Sequence, residues 1–150
     1  MDTSQFKFDQ AGIMKAAPIP VIVGAIGGAL WISVGLWGIA GIIGWVAPIF
    51  GGVWYVMTLR KTGEMPDQMN SLANGAILGG IVALAYGILA LLTSPMGANT
   101  LAGEFLGGLG ISFNVGFSIT DVITGVLFGA IGGAIGAFGY KYMVDSGNIS

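Results

Sequence analysis

Charge is missing from the interior of four long apolar stretches, residues 17–36, 39–59, 72–92 and 120–144, and this absence restricts the possible folds more than any other feature of the chain. Each stretch is close to the ~20 residues a helix needs to cross ~30 Å of hydrocarbon. Only 8% of the 150 residues are charged, and the mean hydropathy is +0.87. A soluble domain is nearer a quarter charged, so no water-facing surface can be made from this material. Inside a bilayer the backbone must satisfy its own hydrogen bonds, and single apolar stretches of this length do so as helices. The expected fold is all-α: one integral membrane domain, 1–150, with four transmembrane helices as two antiparallel hairpins.

The connections refine this picture. Residues 1–16 mix Asp2, Lys7, Asp9 and Lys15 with Phe6, Phe8, Ile13 and Met14, the pattern of a short segment lying on the membrane surface. No cleaved signal peptide is expected, because the first apolar run is as long as a full span and lacks a small-residue cleavage site. Pro18 and Pro20 open that run, where a missing N–H costs little. An uncharged turn at Trp37 and Gly38 joins the first two spans, and Trp31 and Trp45, seven residues to either side of Gly38, are expected at similar depth. Residues 60–70 form a polar loop, with Trp54 and Tyr55 before it as an interfacial anchor.

Residues 94–119 read as an external segment, either a short interfacial helix or an extended stretch. Ile111, Phe113, Val115, Phe117 and Ile119 alternate with small and polar residues, which is the period of a strand. The last span is predicted to start at Ser118 or Thr120 as N-cap, with Asp121 in its first turn. It closes on Tyr140, Lys141 and Tyr142 as anchors, and 145–150 form a tail.

With four crossings, Lys7, Lys15, Arg60, Lys61 and Lys141 all fall on one side, and they are all the cations of the chain. The positive-inside rule then makes both termini cytoplasmic.

Glycine is the other dominant signal, with 28 residues. Gly125, Gly129, Gly132, Gly136 and Gly139 recur at steps of four and three and share one stripe of the last helix. Gly75 and Gly79 repeat at intervals of four in the third span, and Gly24 and Gly28 in the first. In water each glycine weakens a helix by about 1 kcal/mol relative to alanine. In lipid small residues let helices approach closely, so these nine glycines are the predicted packing positions. Gly-Ala-Ile also recurs in spans one, three and four, as a duplicated hairpin would produce, although these residues are abundant throughout the chain.

Reactive chemistry is poorly represented. Cysteine and histidine are absent, which removes thiolates, disulfides and the commonest metal ligand. No glycine pair is followed by the Lys-Ser or Lys-Thr of a phosphate loop, and no nucleophile has a basic partner at useful spacing. The net charge of -2 gives no reason to expect nucleic acid. No enzyme activity, cofactor or metal is expected. The reading preferred on the sequence is a small membrane protein acting by glycine-mediated packing: an accessory or structural subunit, or a self-associating scaffold, in contact with membrane lipids and with other subunits or copies of itself. The alternative is an oligomeric channel or carrier for a neutral or small polar solute, with Pro48 as a hinge and Glu104 and Asn114 as its polar site.

Overall fold

In a computed structural model, residues 6–98 and 117–149 are described. Glu104, Asn114 and the alternating run up to residue 116 lie outside them. Five α-helices follow in order: α1 (Gln10–Ala16), α2 (Pro18–Ala29), α3 (Trp37–Lys61), α4 (Gln68–Ala98) and α5 (Ile119–Asp145), with short 3₁₀ turns at Leu30–Ile32 and Val34–Leu36. Among the described residues there is no strand. Three helices, α3, α4 and α5, are long and apolar enough to cross a membrane. A bent pair, α1 with Pro18–Ile32, makes a fourth if it is taken as one span.

The first span departs most from expectation. Helix begins at Gln10 rather than near residue 17, because the Asp9 side chain caps α1 by accepting from the Gly12 N–H at 2.8 Å. Pro18 and Pro20 remove two helical donors, and the pair bends by 55° around Ala17. Helix α1 buries Gly12, Ile13 and Ala16, packing on α3. At the far end Ser33 is extended (φ -129°, ψ 123°), which places the turn before Trp37 and leaves Trp37 to open α3. Trp31 consequently packs beside Trp37, ring centroids 5.6 Å apart.

The other helix ends have local causes. Asp67 starts α4 by accepting from the Asn70 N–H at 2.9 Å. Ser118, rather than the other candidate Thr120, caps α5, in a reciprocal capping box with Asp121. At the close of α5, Lys141 is buried and ion-paired with Asp145 instead of reaching outward as an anchor. Tyr55 is likewise buried, while Trp54 lies under the Lys61 ammonium, 5.6 Å from the ring centroid.

Helices α3 and α4 form the middle pair, and α2 and α5 each pack on both. They use different faces. On α4, Val82 and Tyr86 meet Gly24 and Gly28 of α2, whereas Gly75, Gly79 and Ala83 meet α5. The outer surface is apolar all along the helices, including Ile22, Ile42, Leu84, Leu92, Leu127 and Ile135. Small and hydrogen-bonded polar residues fill the inside, the arrangement expected where lipid replaces water.

Candidate functional site

Three features stand out from the packed helices. The first is a seam in which backbone meets backbone. Gly75, Gly79 and Ala83 of α4 interlock with Ala137, Gly133 and Gly129 of α5, both sets spaced by four. A Cβ on Gly79 would stand 2.7 Å from the Gly133 Cα, and one on Gly133 would stand 2.7 Å from the Gly79 Cα. From α3, a Cβ on Gly52 would strike the Gly133 carbonyl oxygen, so Gly52, Gly79 and Gly133 converge on one point.

The predicted packing glycines divide accordingly. A Cβ on Gly136 would strike the Ile49 carbonyl oxygen, and one on Gly132 would sit 3.2 Å from the Ile49 side chain. Gly24 and Gly28 abut the backbone of Val82 and Tyr86. At Gly125 and Gly139, in contrast, a Cβ would meet nothing within 4 Å. The face of α5 turned to α4 runs through Gly133, which the four-three spacing passes over, because Gly132 and Gly133 are adjacent and only the partner helix selects between them. Pro48 is buried in an unbroken α3, with its ring close to Gly129 and Gly132.

The second feature is a polar strap where α3 ends and α4 begins. Residues 7–9 run along α4, gripped by two carboxamides one turn apart. Asn70 Oδ1 accepts from the Lys7 N–H at 2.8 Å, and Asn74 Oδ1 accepts from the Asp9 N–H at 3.1 Å. Asn74 Nδ2 donates to the Lys7 carbonyl at 3.0 Å, and the Tyr55 hydroxyl donates to Asp9 Oδ2 at 2.9 Å. Asn74 and Tyr55 are fully buried, and these bonds satisfy them. Outside the spans, Asp67 is held below the ordinary carboxylate range, chiefly by the Asn70 N–H.

The third feature is a cavity of about 320 Å³ near the other end of the bundle, between the first halves of α3 and α5 and the second half of α4. One wall is a fixed aromatic cluster. Trp31 Nε1 donates to the Tyr86 hydroxyl at 2.7 Å, which donates in turn to the Ala40 carbonyl at 3.0 Å. Phe117 stands edge-on to both rings, at 5.1 Å from Trp31 and 6.1 Å from Tyr86. At the mouth Trp45 pairs with Phe128 at 6.1 Å. Gly41 and Gly125 leave the space between open, and Gly44 makes room for the Tyr86 ring.

No family model matches the chain, and neither does any curated protein or solved structure.

Among the described residues no group of three His, Cys, Asp or Glu side chains comes together. The strap had a partial sequence signal, since Asn70 and Asn74 lie one turn apart at the start of an apolar run. The cavity had none. Its walls come from five separate stretches, brought together by the fold, and in sequence each aromatic reads as an ordinary lipid-facing or interfacial residue.

Proposed function

We propose that this chain is a non-catalytic, four-span membrane protein that works by packing, as an accessory subunit docked on a helix of a neighbouring membrane subunit. In this reading α1 and α2 together make the first span, and the end carrying Lys7, Arg60, Lys61 and Lys141 faces the cytoplasm. The observation that carries the docking is a shallow apolar groove on the outer side of α4 and α5, floored by the small residues Ala76, Gly80 and Ala130 and edged by Ile77, Leu84 and Val126. A Cβ on Gly80 would be 3.7 Å from Val126, so the groove has room at its floor. With Ala76 and Ala130 half-buried on either side of the buried Gly80, this face is low enough for the close approach of another helix. The seam between α4 and α5 supplies a rigid platform beneath it.

The test is the native mass of the gently extracted chain, with whatever accompanies it identified, for the wild type and for Ala76→Leu and Ala130→Leu, both at half-buried positions of the groove. Companion subunits that are lost in both variants, with thermal unfolding unchanged, are the expected result. A lone monomer in the wild type would refute docking, and a closed homo-oligomer would replace the neighbouring subunit by a second copy.

A further inference from the structure

The aromatic cavity has a chemistry separate from the outer groove, and its reading stands whether or not that groove docks a partner. Its lining is aromatic and apolar, with glycine where side chains would otherwise fill it. Two polar groups at its edge are unused: neither Trp45 Nε1 nor the Thr124 hydroxyl has a hydrogen-bond partner among the described residues. Trp45 is eight residues into α3, about 12 Å along the helix at 1.5 Å per residue, yet it is 70% exposed. In the four-span reading proposed above, on which this step rests, an indole N–H at that depth has no water to turn to, and an unmet donor in hydrocarbon is costly.

The surrounding charges narrow the ligand. Among the described residues Asp121 is the single charged group on the lining, and its carboxylate is already engaged by the Ser118 N–H and hydroxyl. No cation lines the cavity. A phosphate or fatty-acid head would find no cation there to offset its charge and would meet the like charge of Asp121. Tyr86 gives its proton to Ala40, so the free groups of the lining are chiefly donors, placed beside flat aromatic faces. Donors and rings together suit a planar molecule bearing carbonyl oxygens.

We propose that this cavity is a binding site for an uncharged, lipid-soluble ring compound with carbonyl acceptors, of the quinone class, which enters from the bilayer between α3 and α5. Trp45 and Thr124 donate to its oxygens, and the Trp31–Tyr86–Phe117 cluster forms a preorganised wall against its ring.

The experiment titrates a decyl-substituted 1,4-benzoquinone into the detergent-solubilised full chain and follows tryptophan emission. Saturable quenching is expected. Gly125→Leu fills the cavity from a position where a Cβ touches nothing, and should weaken binding at least about tenfold, whereas Gly139→Leu, equally open on the same helix but outside the cavity, should leave it unchanged. If Gly125→Leu fails to fold, Gly41→Val enters the same space from α3. Thr124→Val should weaken binding roughly three- to tenfold, the loss of one hydrogen bond. Quenching that rises linearly without saturation, or that is the same in the filled variant, overturns the site. Displacement by palmitate as effective as by the quinone overturns the ligand class in favour of an acyl chain.

Discussion

Gly133 and Gly139 sit on the same helix and answer oppositely to one added methyl. At Gly133 the new Cβ runs into the Gly75 carbonyl oxygen and the Gly79 Cα, backbone atoms that move only if α4 moves. Gly133→Ala is expected to destabilise the fold by about 1–3 kcal/mol, the usual cost of overpacking. Gly139→Ala meets nothing and gains helix propensity, so it should be neutral or stabilising by up to about 1 kcal/mol. Unfolding in graded denaturing detergent compares the two directly. The four-three spacing picks out Gly139 and passes over Gly133; what separates the two in the fold is the distance to a partner backbone. Asp67 gives a pH prediction. Its carboxyl is lowered in the fold from an unfolded value near 3.8, so its stabilising effect is complete above that value and is lost as pH falls through the lower folded one. Asp67→Asn keeps a capping side chain and should flatten the acid limb of a stability-versus-pH curve.

Helix α4 touches α2, α3 and α5 and holds the strap through Asn70 and Asn74. Asn74→Leu deletes the bonds to the Lys7 carbonyl and the Asp9 N–H and leaves those groups to find other partners. A loss of about 1–3 kcal/mol is expected for each polar group left buried and unpaired. Hydrogen exchange should report it as faster exchange through residues 7–16, with α5 unaffected. A change spread evenly over all helices would show instead that the carboxamide supports the whole bundle. The existence of α3, α4 and α5 was legible because runs without charge leave a chain few alternatives in lipid. Their ends were less so. Helix α4 runs from Gln68 to Ala98, beyond the apolar core at both ends, since the Asp67 cap and continued backbone pairing set its limits and hydropathy does not. The sequence reads residues 1–16 as a surface segment and Pro18 and Pro20 as the opening of the first span, whereas Gly12 becomes a tight contact with the Asp9 cap and the prolines bend a chain whose helix has already begun at Gln10.

Across the whole molecule, the lack of cysteine makes sidedness directly measurable. Single cysteines at Thr62 and Asn148 should react with an impermeant thiol reagent from one face of the membrane, and one at Gly35 from the other. Gly35 lies in the turn between α2 and α3, with open space around it. Labelling of all three from one face would rule out the four-span layout. Of the strap only the Asn70 and Asn74 pair was legible in the sequence, and of the cavity nothing, since each joins residues dozens of positions apart. The backbone seam also bears on how the protein is made. Until α5 arrives, Gly52, Gly75 and Gly79 present bare peptide groups to lipid, with no side chains to shield them. During synthesis the partly built chain is therefore the form most exposed to wrong partners and to membrane proteases, and the insertion of α5 is the step that ends that exposure.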